Sequence, residues 1–253
     1  MSAANKSDLF ENEVDALDFA ANSGHVDAML VLALACEVGG IVEKNSSKAI
    51  EYVEEAARAG SPLAMYVLAR HILNVTDTSP EKALFWSKKA AELGFAPAIF
   101  LQAQIYEKGE GVNVNHAKAE DLYREAAKAG LGQAAAYLSY VYAQGLFGKQ
   151  DLPAAVSYAR QASEAGNALA TSYLADCYLD GIGIKANSEE AVRLYELAAE
   201  RGNRMAALCL SMIYSKGMYG IAEDKEKSEY YLALCETNEQ NSSRSEQKGV
   251  SDK

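Results

Sequence analysis

The chain has 253 residues, 49% of them apolar, enough for a large buried core and too apolar for a disordered polymer. Asp and Glu number 35 against 24 Lys and Arg, a formal charge of −11, which argues against nucleic acid or an anionic membrane as the main partner, since both demand a positive surface. No run of about 18 apolar residues offers a membrane span, and Cys36, Cys177, Cys209 and Cys235 stand singly without a CxxC pair, as small buried apolar residues do.

At the N-terminus, Asp8, Glu11, Glu13, Asp15 and Asp18 replace the basic and apolar regions of a secretory signal, so a cytoplasmic location is expected. Residues 1–8 are expected to be disordered. Residues 9–24 match only the second half of the unit that follows, which predicts a lone helix capping the first complete repeat.

From His25 onward the chain repeats itself. A small-residue pair and a glycine recur at Ala20-Ala21 and Gly24, Ala56-Ala57 and Gly60, Ala90-Ala91 and Gly94, Ala126-Ala127 and Gly130, Ala162-Ser163 and Gly166, and Ala198-Ala199 and Gly202, at intervals of 36, 34, 36, 36 and 36 residues. Four residues after each glycine stands an alanine: Ala28, Ala64, Ala98, Ala134, Ala170 and Ala206. Position nine is alanine or serine in every copy, and position eight is leucine except at Gln102. Small side chains at these steps allow helices to approach closely, and the 3.6-residue stripe does not fit a strand. Position twelve carries Tyr106, Tyr142, Tyr178 and Tyr214, ahead of the glycines Gly109, Gly145, Gly181 and Gly217 that suit a left-handed helix cap.

A second helix then opens on Asn45, Ser79, Asn115, Asp151 or Asn187, each able to accept from the first-turn amides. It buries Ala49, Ala83, Ala119, Ala155 and Ala191, with anchors three residues later at Tyr52, Trp86, Leu122, Tyr158 and Leu194. These features predict six helix-turn-helix units over 25–238 (25–60, 61–94, 95–130, 131–166, 167–202 and 203–238). The second unit is two residues short and lacks the glycine turn, so its turn geometry is expected to differ. The sixth slips by one residue, placing Asp224, Ser228 and Tyr231 in the capping, small and anchoring roles. Residues 239–253, polar apart from Val250, are expected to form a disordered tail.

The unit, shown best by GNALATSYLADCYLDGIGIKANSEEAVRLYELAAERG, resembles the Sel1-like repeat of the tetratricopeptide-like superfamily. The resemblance implies an all-α fold, an α/α superhelix in the form of a right-handed solenoid, with the first helices lining a concave groove. It also implies an adaptor, regulator or scaffold that binds a partner protein. Some secreted bacterial relatives carry a disulfide between the two helices of each repeat; here only the sixth unit, with Cys209 and Cys235, holds two cysteines, and no other unit holds more than one.

No nucleophile elbow, HExxH helix or Walker loop appears, and His25, His71 and His116 lie in different units with no recurring ligand partner, so no catalytic residue, metal or cofactor is assigned. Positions six and ten of the first helices vary among polar, aromatic and apolar types, where a purely solvated face would be polar. Tyr66, Arg70, Phe100, Gln104, Tyr140, Asp176, Leu208 and Met212 are therefore the candidate partner-binding residues. The partner is expected to be a protein or peptide, with no nucleic acid and no membrane. Two other readings stand beside this one. The first is a hydrolase of cell-wall or β-lactam substrates, by analogy with the secreted relatives; the second is a structural scaffold with weak self-association through the terminal repeats, where Tyr230 to Leu234 is apolar.

Overall fold

The structure, a computed structural model, describes residues 6–39, 42–75 and 79–235, with side chains from residue 14 onward. The tail expected over 239–253 and the expected end of the sixth unit lie outside the described residues. Within them there are helices and no strands. Helix α1 (Lys6–Asn22) is followed by α2 (Val26–Val38), α3 (Ser46–Arg58), α4 (Pro62–Asn74), α5 (Pro80–Glu92), α6 (Ala96–Lys108) and α7 (His116–Lys128). Then come α8 (Gly132–Gln144), α9 (Leu152–Glu164), α10 (Ala168–Asp180), α11 (Ser188–Glu200), α12 (Arg204–Lys216) and α13 (225–235). Helices α2 to α12 are each 13 residues long. Helix α1 starts at Lys6, earlier than expected, and no glycine or proline interrupts its sequence.

The hairpin turns follow from local chemistry. Gly109, Gly145, Gly181 and Gly217 adopt the left-handed conformation, and each donates its amide to the carbonyl four residues back. Where the second repeat lacks this glycine, Val75 is extended at the end of α4. Five of the hairpins are then closed by an amide of the capping residue bonded to the position-twelve carbonyl: Asn45 to Cys36 (2.8 Å), Asn115 to Tyr106 (2.8 Å), Asp151 to Tyr142 (3.0 Å), Asn187 to Tyr178 (2.8 Å) and Asp224 to Tyr214 (2.9 Å). The side chains of these five residues accept from the amide three residues on. Ser79 does not: its side chain makes no cap bond, and the amide of Lys82 bonds the Ser79 carbonyl instead, behind Pro80, whose ring already presets the first turn.

The chain divides into two compact units, residues 1–125 and 126–253. In the first, Leu32, Leu68, Ala64, Ala69, Ala83 and Ile105 form a continuous core. Helix α1 joins it through Leu17 and Ala21, and the Tyr52 hydroxyl donates to Asp18 at 2.7 Å. In the second unit Leu174, Tyr195, Ala198, Ala206 and Leu210 form the core. Polar side chains brace its successive hairpins: Arg201 Nη1 donates to the Ser163 carbonyl and to Thr171 Oγ1, both at 2.8 Å, and Gln161 Nε2 donates to the Ala127 carbonyl at 2.7 Å.

The recurring small residues are the seats of this packing. The position-four alanines are 0–7% exposed and the second-helix alanines 0–4%, so nothing larger than a methyl group fits without moving a neighbouring helix. The sixth repeat absorbs its one-residue slip at Tyr219, a left-handed residue in the turn Met218–Gly220. Beyond it Ser228 bonds Ser211, and Tyr231 stacks on Tyr214 with ring centroids 6.0 Å apart.

Candidate interaction surface

Positions eight and nine of each first helix point into the core, so positions six and ten fall to its flank and outer side. In the first unit Arg70 is exposed and lies over the half-buried ring of Tyr66, 5.7 Å from its centroid. Tyr66 also meets Phe95 edge to face at 5.6 Å, which holds its ring in place, and Gln104 is half-buried. Phe100 departs from expectation: it is 8% exposed and packs edge to face on the fully buried Tyr123 at 5.1 Å. An aromatic at 123 draws position six inward, whereas the corresponding residue of the preceding repeat is Ser87, which has no ring to offer.

In the second unit Tyr140 is 54% and Met212 47% exposed, and Leu208 packs partly against the core. Asp176 is half-buried and accepts a hydrogen bond from Tyr195, so its carboxylate serves the hairpin itself. Burial raises its pKa above the usual carboxylate value, against the opposing effect of the Tyr195 hydrogen bond. Beside Tyr140 lies a hollow of about 400 Å³ lined by Ala136, Ser139, Leu169 and Tyr173. Tyr173 is pushed up to about 12, first by burial and then by its hydrogen bond with Cys177. The hollow has no charged side chain in its lining, which suits an uncharged, largely apolar group.

The four cysteines are unpaired, and burial raises the thiols of Cys177 and Cys209, the opposite of what a reactive thiolate requires. No group of three or more metal-ligating side chains assembles among the described residues. His25 precedes α2 without a side-chain cap bond and bonds the Ala20 carbonyl through Nδ1 at 3.1 Å, while His71 and His116 sit on α4 and α7. Ser79 and Lys82 have a Ser-x-x-Lys spacing, and both are exposed at the start of α5.

Sequence reasoning also missed the first-helix caps Ser61, Asn167 and Asn203, each accepting from the amide three residues on. Their signal was the residue directly after each closing glycine. It missed the buried tyrosines as well: Tyr123 donates to Glu107 at 2.6 Å and Tyr195 to Asp176, both across a hairpin.

The Sel1 repeat pattern matches residues 26–61, 62–95, 96–131, 132–167, 168–203 and 205–234. A Sel1 repeat protein from Oxalobacter formigenes is 31% identical, covers 84% of this chain and 85% of its own, and superposes with a TM-score of 0.66. A protective antigen of uropathogenic Escherichia coli strains, displaying an SLR fold, is 26% identical over 88% of this chain with a TM-score of 0.75, and the match spans 48% of that protein. The chitin synthase regulator SKT5 of Saccharomyces cerevisiae is 32% identical over 112 residues, 42% of this chain and 16% of the yeast protein.

Proposed function

Because this chain belongs to the Sel1 repeat family, we propose that it is a non-catalytic adaptor of the cytoplasm, holding a segment of a partner protein against the outer side of its first helices. One observation carries this reading. The position-four and second-helix alanines are buried without exception, yet row ten of the first helices leaves Leu34 65%, Tyr140 54% and Met212 47% exposed. A helix that merely met solvent would be polar there. In the first unit the surface is Tyr66 with Arg70 and Gln104; in the second it is Tyr140 with its uncharged hollow, Leu208 and Met212. Aromatic and arginine side chains already held by neighbours lose little freedom on binding, which suits them as anchors. The yeast relative carries the name of a regulator, a role that fits a chain acting on another protein without chemistry of its own.

The test is quantitative affinity purification of the tagged chain and two double variants, Tyr66→Ala with Arg70→Ala and Tyr140→Ala with Met212→Ser. Loss of about tenfold or more of a specific partner from at least one variant, with unchanged helical circular dichroism, is the expected result. Full retention of every partner by both variants overturns the proposal.

A further inference from the structure

Helix α2 breaks the rule its neighbours follow. Of its 13 residues only Asp27 and Glu37 are polar. A helix apolar on all sides belongs inside a core or a membrane, yet no helix among the described residues is long and apolar enough to cross a membrane, and Val31, Leu34 and Val38 are 46%, 65% and 69% exposed. Helix α4 faces the same space with Leu63 and Val67, 45% and 36% exposed. Between them, floored by Ile50 and Val53 of α3, runs a groove of about 610 Å³ whose lining is apolar except for Glu37, Ser46 and His71.

Charge decides what fits. Residues 1–57 hold eleven carboxylates against three lysines, a net −8 of the chain's −11. Glu37 lines the groove at one end of α2, and Asp27, exposed, stands one turn before Val31 on the same row of that helix. A second copy of this chain would bring a net charge of the same sign. The residues beyond 235 include Val250 but no larger apolar side chain to fill such a groove.

We propose that the α2–α3–α4 groove docks a basic amphipathic helix of a partner protein, its apolar stripe seated on Leu34, Ile50 and Val67 and its lysines or arginines against Glu37 and Asp27. The inference rests on the adaptor reading and specifies the partner's chemistry at one end of the chain. Helix-in-groove recognition needs anchors spaced three and four residues apart, which an apolar trough supplies without backbone pairing. The flanking carboxylates select the charge and speed the encounter.

The full chain is titrated with three synthetic peptides. One is an amphipathic helix of leucine and lysine, one has the same stripe in leucine and glutamate, and one is the leucine–lysine composition scrambled to lose the stripe. The first peptide alone is expected to bind, about tenfold more weakly to Leu34→Asp and to Glu37→Lys, and more weakly as salt rises from about 50 to about 300 mM. Because Leu34 is 65% exposed, Leu34→Asp is expected to keep wild-type helical circular dichroism. Equal binding of the scrambled or the glutamate peptide, or binding untouched by either substitution, overturns the proposal. So does a concentration-dependent dimer that Leu34→Asp dissolves, which assigns the groove to a second copy. If both of these variants keep every partner that the Tyr66 or Tyr140 variants lose, this proposal fails while the adaptor reading stands.

Discussion

Tyr195, 2% exposed at the centre of α11, donates its hydroxyl to the carboxylate of Asp176 on α10, so the two helices of one hairpin are joined by a polar bond within an apolar core. Burial shifts both groups upward from their ordinary pKa values. For Asp176 the sign is that of a penalised charge: above its folded pKa the chain carries a part-buried carboxylate that the unfolded chain would solvate. Its contribution to stability therefore declines as pH rises from the ordinary value of 3.8 through the raised folded value. Removing the donor with Tyr195→Phe leaves that carboxylate unpartnered and is expected to cost about 1–3 kcal/mol at pH 7. Asp176→Asn keeps an acceptor without the charge, so its stability relative to wild type should rise with pH across this window. Urea unfolding of all three proteins at pH 3.5 and pH 7 measures both effects.

Ser139 and Ser211 occupy the same position in different repeats and differ in their partners. Ser211 meets Ser228 at 3.2 Å, whereas the buried hydroxyl of Ser139 has no hydrogen-bond partner among the described residues. An unsatisfied buried hydroxyl costs free energy that alanine avoids. Ser139→Ala is expected to stabilise the fold by about 1 kcal/mol and Ser211→Ala to destabilise it by a similar amount. Thermal melts of the two single variants separate the cases, and a destabilised Ser139→Ala would contradict the packing described.

The capping residues offer an internal control. Asn187 accepts from the Glu190 amide at 3.1 Å, while Ser79 caps nothing through its side chain. Asn187→Ala should cost about 1 kcal/mol and Ser79→Ala a few tenths at most. Equal losses in denaturant titrations would mean that the difference in hydrogen bonding has no energetic weight.

Two left-handed glycines differ in what surrounds them. A Cβ at Gly183 would come within 2.5 Å of the Leu152 carbonyl oxygen, whereas at Gly202 it would meet nothing within 4 Å. Gly202→Ala carries only the conformational cost of about 1–2 kcal/mol. Gly183→Ala must also push two hairpins apart, so its melting temperature should fall further; a smaller drop than for Gly202→Ala would refute the close approach.

What the sequence made legible is whatever depends on neighbours within one helix turn or on a single backbone angle. The alanine seats recur because every interface asks for the same small volume, and the glycine caps of the last four units recur because those turns ask for the same left-handed residue. The tyrosine–carboxylate pairs were hidden because their acids come from different places, Glu107 at position thirteen of its repeat and Asp176 at position ten. Phe100 was misplaced for the same reason. Its burial depends on Tyr123 in the following helix, and that position reads Val53, Ser87, Tyr123, Ala159 and Tyr195 along the chain. Helix α2 did show its excess of apolar residues in sequence, but the trough it forms with α3 and α4 emerges only when three helices are assembled.

Asn167 follows Gly166 as Asn203 follows Gly202, and each begins its helix with the same side-chain bond, to the amides of Ala170 and Ala206. Cutting at one point and rejoining at the other would remove a whole hairpin, yet leave a glycine–asparagine junction that opens the next helix with the same side-chain bond. The length of the repeat array is thus adjustable in steps of 36 residues, the interval between those two glycines, by gene duplication or deletion alone.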